Sequence, residues 1–380
     1  MVRRSFPVFI VLLIVVSLLS NLAVPISKPV AAAATTASAV PPAWKTEWNK
    51  TVAAAKQEGK VVIFATVVKN TQTNLTYAFA KEFGFQPEFR VMTATEYMSK
   101  LFAERRAGIY STDLYMGGLT PPYSQLRPAG FLDSLKDALI LPEVTDGGKW
   151  YGGRLPFIDR DNTVLAFGAT AQSYVAVNTE RVKLGEIGGY ADLLDPKWKG
   201  QIVINDPTIS GRGLDWFQVM DRLLGPDYMK KLLDQEPVVT RDRRLQVEWL
   251  ARGKYAAGLA LDTSVTQEFI KKGAQIKFVW PREGVQLGAE KGGLALINKA
   301  PHPQAAKVFA NWLLTREAQG LWSRDEGLQS ARTDVQVDFL SPDQARDSNK
   351  KYMFMVDEEW FATKQKTIEQ AKQVFSRFLK

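Results

Sequence analysis

Residues 60–92 read KVVIFATVVKNTQTNLTYAFAKEFGFQPEFRVM, and this stretch decides the fold. Lys60 to Val68 is dense in β-branched and aromatic side chains (Val61, Val62, Ile63, Phe64) and reads as a buried strand. Residues 71–83 follow as a helix that stops at Gly84, and Pro87 to Met92 reads as a second strand. Upstream, Trp44, Trp48, Val52 and Ala55 recur every three or four residues, which predicts a helix over 44–58 ended by Gly59. Downstream, Glu96 to Ala107 reads as a helix stopped by Gly108, and Asp113 to Met116 as a short strand running into Gly117-Gly118. Alternation of strand and helix is the signature of a parallel sheet with helices on its faces.

The alternation pauses and then resumes. Leu155 to Ile158, Thr163 to Phe167 and Tyr174 to Val177 read as strands. A second α/β stretch follows: strands at Gly200–Asn205, Ala256–Leu261 and Ile276–Trp280, and helices at Gly213–Leu224, Tyr228–Leu233, Arg244–Ala251 and Val265–Lys272. Gly293 to Ile297 is one more strand, and Pro303 begins an amphipathic helix through Val308, Phe309, Trp312 and Leu313. A polar stretch over Ser341–Lys350 precedes a last helix at Lys364–Leu379, with Ile368, Ala371, Phe375, Phe378 and Leu379 as its inner face. There is no internal repeat. Two successive α/β units leave a crevice, and open parallel sheets present ligand sites at the carboxyl ends of their strands.

The first forty residues predict an address. Arg3 and Arg4 precede an apolar run from Phe6 to Val24, and a small-residue stretch ends in Ala37-Ser38-Ala39. That is the three-part pattern of a secretory signal peptide over 1–39. The alternative is an uncleaved anchor, because the run is close to the ~20 residues that span a bilayer. The working place is then the periplasm or the outer face of the cell membrane. The formal charge of the 380-residue chain is +9; loss of Arg3, Arg4 and Lys28, with no acid among residues 1–39, lowers it to +6. That mild basic balance suits an outer-surface protein near anionic lipid, or an anionic ligand, while the lack of a dense Lys/Arg stripe argues against nucleic acid. There is no cysteine, which excludes disulfides, thiolate metal sites and cysteine nucleophiles, and the single histidine, His302, reads as an exposed residue before a helix.

Several segments resemble one family. Residues 173–179, Ser173-Tyr174-Val175-Ala176-Val177-Asn178-Thr179, resemble the strand at which extracytoplasmic solute-binding proteins of ABC importers first cross between lobes. Residues 193–202, with Asp195-Pro196-Lys197-Trp198-Lys199-Gly200, resemble the segment after that crossing, and residues 205–211 the loop that follows. Residues 293–298 and the helix Pro303-Gln304-Ala305-Ala306-Lys307-Val308-Phe309 resemble the return strand and its helix. The resemblance implies a two-lobed periplasmic-binding-protein type II (Venus flytrap) fold, α/β, each lobe a mixed sheet flanked by helices, with two crossover strands. It divides the chain into lobe one (40–176), lobe two (177–290) and a return to lobe one (291–380), with rotation absorbed near Val177–Asn178 and Glu290–Gly293. The nearest branch holds ferric iron, thiamine, polyamine and sugar-phosphate binders. Its iron members place adjacent tyrosines after a small-residue strand of the second lobe; here Asp262-Thr263-Ser264 follows that strand, and no tyrosine pair exists in the chain.

Candidate ligand residues cluster at strand ends. Gly117 and Gly118 offer close backbone approach or form a plain turn. Thr66 ends the first strand, facing the crevice or packing within the sheet. The resemblance carries over Thr170, in a small polar segment that contacts an anion in related proteins. Ser210-Gly211-Arg212, after Asn205-Asp206-Pro207, brings a hydroxyl, free N–H groups and a guanidinium to a helix start, an anion cradle; alternatively Ser210 caps the helix and Arg212 faces solvent. Arg241, Arg243 and Arg244 precede another helix, paired with a ligand or with surface acids. Asp262 is a helix cap or a ligand acceptor, and Trp280 a stacking surface or core.

These features predict a monomeric binding module that captures a small polar, anionic solute and delivers it to a membrane ABC permease with its ATPase. No cofactor, metal or nucleic acid is expected. A secreted hydrolase with a carboxylate pair is the rival from another class, although no Gly-x-Ser-x-Gly or His-Glu-x-x-His motif is present.

Overall fold

Val61, Ile63 and Ala65 point to one side of their strand and Phe64 to the other, and all are buried. A strand buried on both faces belongs in the middle of a covered sheet. In the computed structural model this is where it sits. The structure describes residues 41–378 apart from 184, 341–344, 348 and 355. The expected signal peptide and Leu379 lie outside the described residues.

Strand β1 (Lys60–Ala65) runs parallel to β2 (Gln86–Val91) and β3 (Leu114–Gly117). The return strand β13 (Gly293–Ile297) lies antiparallel to β3, β4 (Leu132–Asp133) and β5 (Val164–Ala166). Helices α1 (Ala43–Glu58), α2 (Lys69–Phe83), α9 (Pro303–Leu313) and α10 (Arg316–Glu326) cover one face, where Phe79, Phe309 and Trp312 pack together. Helix α3 (Ala94–Arg106), started by a capping box of Thr93 and Glu96, covers the other with Tyr97 stacked on Phe64. The short helix α4 (Pro142–Thr145) borders the first core through Val144.

A second sheet orders β11 (Ile276–Val279), β7 (Val175–Asn178), β10 (Ala257–Leu259), β8 (Ile202–Asn205) and β9 (Val238–Thr240) side by side. Helices α5 (Arg212–Leu224) and α6 (Pro226–Leu233) cover one face; α7 (Arg243–Ala251) and α8 (Thr263–Lys271) cover the other. The two sheets are separate, so each lobe has its own core.

A third sheet links them. Strand β6 (Thr170–Gln172) pairs antiparallel with β12 (Val285–Gly288), and β14 (Tyr352–Phe354) joins parallel to β12. The chain therefore passes between lobes three times, where two crossovers were expected. The third passage leads into α11 (Glu358–Phe375), which packs on the second lobe. Phe375 meets Trp216 and Phe217 edge-on at 6.4 and 6.0 Å. The end of the 291–380 segment thus joins lobe two, because that is where an apolar stripe of Trp360, Ala371 and Phe375 finds a matching core.

Other expectations shift. Val177 and Asn178 lie buried inside the second sheet, so the first passage falls earlier, at Thr170–Gln172. Leu155–Ile158 forms no strand beyond a single bridge of Phe157 to Leu165, since Pro156 lacks an N–H and the Phe157 amide turns back to the Leu155 carbonyl. The last helix starts six residues before Lys364, capped by Asp357 at the Trp360 amide, 2.8 Å. His302 is not free: its ring Nδ1 sits 2.9 Å from the buried Asp113 carboxylate.

Candidate ligand cleft between the lobes

Two chambers open between the lobes and meet at Gln172 and Glu290, whose side chains hydrogen-bond to each other. The smaller, about 320 Å³, is walled by Gly118–Thr120 of lobe one, by Ser210, Gly211 and Asp215 of lobe two, and by Trp360, Phe361 and Lys364 of α11. Tyr174, Gln286 and Gly288–Glu290 form its floor. The larger, about 780 Å³, runs from Thr170–Ser173 between the start of α8 and the end of α10, past Phe278 and Trp280.

The start of α5 opens on the smaller chamber through Ser210 and Gly211. Gly211 holds φ 150°, ψ −167°, open to glycine alone, and no side chain caps the helix. Ser210 is exposed and does not cap it. Gly213 seats the helix end directly on β8: a Cβ there would stand 2.5 Å from the Asp206 carbonyl oxygen. Arg212 lies over the Tyr174 ring at 4.7 Å and donates to the Ser173 carbonyl at 3.0 Å, while its Nε is buried with no hydrogen-bond partner. Guanidinium, helix dipole and free amides converge here.

Charges of both signs surround this point. Burial pushes the Asp215 carboxyl above the ordinary range, Lys364 and Arg212 draw it back, and Glu290 pushes it further up. Glu290 is reached by solvent, yet the walls around it raise its carboxyl, with Arg212 and Lys291 opposing. It also holds φ 50°, and Ala260, at the end of β10, holds φ 58°. Left-handed backbone at non-glycine residues costs about 1–3 kcal/mol and concentrates at functional sites.

The expected site residues divide. Gly118, Ser210 and Gly211 line the smaller chamber and Thr170 the larger, whereas Arg212 lines neither, its guanidinium held against Tyr174 and the Ser173 carbonyl. The Thr170 hydroxyl already accepts the Gln329 amide at 3.0 Å. Thr66 and Gly117 adjoin each other at the ends of β1 and β3, but line neither chamber; a Cβ on Gly117 would sit 2.8 Å from the Thr66 hydroxyl. Asp206 is buried and serves its own loop, accepting the Thr208 amide and hydroxyl and the Arg241 Nε. Burial raises its carboxyl, but the Arg241 and Thr208 hydrogen bonds outweigh this and hold it low. Asp262 caps α8 at the Val265 amide and pairs with Arg243 at 3.1 Å. Arg244 pairs with Glu268, so that arginine cluster is matched by acids of its own lobe. Sequence reading missed Gln172, Tyr174, Asp215, Gln286, Glu290 and Lys364. Only the fold brings them together; Lys364 lies 154 positions beyond Ser210.

Residues 74–351 match the family described as bacterial extracellular solute-binding protein. The chain belongs to this family. It is 27% identical over 287 residues to an uncharacterised protein of Haemophilus influenzae, covering 72% of this chain and 79% of that one. Among solved structures it is similar to the periplasmic binding protein AfuA of Actinobacillus pleuropneumoniae, with exogenous fructose-6-phosphate bound (23% identity, TM-score 0.56, 84% of this chain and 99% of that one). It is also similar to IdiA (FutA) of Trichodesmium in complex with iron and citrate ligands (18% identity, TM-score 0.63, 84% and 99%). These are two-lobed periplasmic binding proteins, and the fold is shared. The family is one of extracellular solute binders, not enzymes, so the hydrolase reading finds no support. Among the described residues, no helix is long and apolar enough to cross a membrane.

Proposed function

We propose that the protein captures a small anionic, hydroxyl-bearing solute between its lobes and hands it, as a monomer, to an ABC permease driven by an ATPase. The observation that carries this is the uncapped start of α5, where Ser210 and Gly211 line the interlobe chamber and Arg212 lies behind them against Tyr174. Helix-start amides with no side-chain cap favour an acceptor-rich, negatively charged group, and the Arg212 guanidinium adds positive charge behind them. Gln172, Gln286, Asp215 and Glu290 supply acceptors for hydroxyls on the rest of the molecule. A chamber of about 320 Å³ suits a solute of that size. AfuA, with its bound fructose-6-phosphate, is in keeping with this reading. Closure follows if ligand touches both lobes only in the closed state. The ferric-iron reading has less behind it: no tyrosine pair exists in the chain, and among the described residues no group of three or more His, Asp or Glu is placed to hold a metal.

The test is a thermal-shift screen of the purified protein against phosphorylated, carboxylated, neutral and cationic solutes. A raised midpoint with anions is expected. A rise confined to cations or neutral sugars overturns the reading.

A further inference from the structure

Helix α11 forms one wall of the smaller chamber, and it is held by both lobes. Its body is buried in the second core, and Gln218 of α5 donates to the Trp360 carbonyl at 2.8 Å and the Thr363 hydroxyl at 3.0 Å. Its first turn reaches lobe one: Glu358 pairs with Arg127 at 2.9 Å and Arg160 at 2.7 Å, and Phe361 stacks on Tyr123 at 4.2 Å. One turn further on, Lys364 faces the chamber, half-buried, opposite Gly118–Thr120.

Lys364 is the only lysine or arginine among the described residues lining that chamber. Arg222 on α5 meets Asp357, and Arg241, Arg243 and Arg244 each meet a carboxylate. Lys364 has no hydrogen bond or ion pair within reach among the described residues, although Asp215 lies close enough to feel its charge. Drawing an ammonium partly out of water has a desolvation cost, and among the described residues no carboxylate lies within ion-pair distance of Lys364. An anion seated at the α5 start would repay it.

We propose that Lys364 is a solute-contacting residue and sets the cleft's selectivity for anions. This rests on the anionic reading above. The C-terminal helix is then part of the binding site, and an anion held between Lys364 and Ser210–Gly211 joins α11 to the start of α5.

The test is calorimetric titration of inorganic phosphate, fructose 6-phosphate and citrate into the wild type, Lys364→Gln, Lys364→Arg and Arg212→Met. Loss of one charge-assisted contact predicts that Lys364→Gln binds about ten- to a hundredfold more weakly. Its affinity should also depend less on salt, and Lys364→Arg should stay near wild type. Unchanged affinity and salt dependence in Lys364→Gln, beside a loss in Arg212→Met, overturns the role of Lys364 and leaves the anionic reading standing. A lowered ligand-free melting midpoint in Lys364→Gln, with affinity intact, makes Lys364 only a counter-charge for Asp215 and overturns it too. Absence of binding by the wild type to all three probes overturns the anionic reading itself, and this inference with it.

Discussion

Asp113 is fully buried at the foot of β3 and accepts the Val62 amide at 2.7 Å and the His302 amide at 2.8 Å. It ties β1 to the start of α9, two elements far apart in sequence. Asp113→Ala leaves those amides without a partner, so a loss of about 2–4 kcal/mol is expected in urea unfolding. Asp215 makes a different case, because its carboxyl is raised: burial dominates, and Lys364 and Arg212 only partly oppose it. A carboxyl that holds its proton more tightly when folded adds stability at low pH and loses it as pH rises through the raised value. The same protonation removes negative charge from the chamber. Anion affinity should therefore climb as pH falls from neutral towards the ordinary carboxylate range, and Asp215→Asn should flatten the climb. Titration with a sulfonate, whose own charge is constant there, checks this; a flat wild-type profile would contradict it.

Among elements, α5 and α11 matter most to the cleft. The first turn of α5 lies against the end of β8, and Gly213 is what lets it. Gly213→Ala should push the helix end away, costing about 1–3 kcal/mol in stability and weakening anion binding together. Calorimetry beside thermal melting separates it from a pure folding defect, in which binding by the folded fraction would be normal. On α11, Phe375→Ala should cost about 3–5 kcal/mol, read from denaturant unfolding, since the ring is fully buried against Trp216 and Phe217. The α11 start was legible in principle. Asp357 followed by Glu358-Glu359 is a capping signal, but the polar face hides the apolar stripe until Ala371 and Phe375 find their partners.

At the scale of the whole molecule, two separate cores are joined by a three-stranded linker sheet, the arrangement on which the proposed closure depends. Ligand at a hundred times its Kd should stabilise the folded state by about 2.7 kcal/mol. With an unfolding entropy of about 2.1 cal/mol/K per residue over about 340 residues, that is a midpoint rise of about 4 °C. X-ray scattering should show a smaller radius of gyration with ligand; an unchanged profile alongside tight binding would rule out closure. Gly168 and Gly292 mark where two passages touch, the Gly168 amide meeting the Gly292 carbonyl at 3.0 Å.

The sequence alone determined the elements whose signals are local. β1, β3, β8 and β13 are mostly apolar runs, and α2, α5 and α9 show helical periodicity with glycine or proline at an end. It also singled out Ser210–Arg212, of which Ser210 and Gly211 line the smaller chamber, because a small polar loop between strand and helix is a local pattern. Short strands such as β6, β12 and β14 stayed hidden, since three or four residues of mixed polarity become strands only when a partner supplies hydrogen bonds. Tertiary structure alone decided that the chain passes between the lobes a third time and that α11 closes one side of the cleft. Neither Glu290 nor Lys364 carries a ligand-binding mark in the sequence. Their meeting with Arg212 and Asp215 depends on distances between lobes, which local residue patterns do not encode.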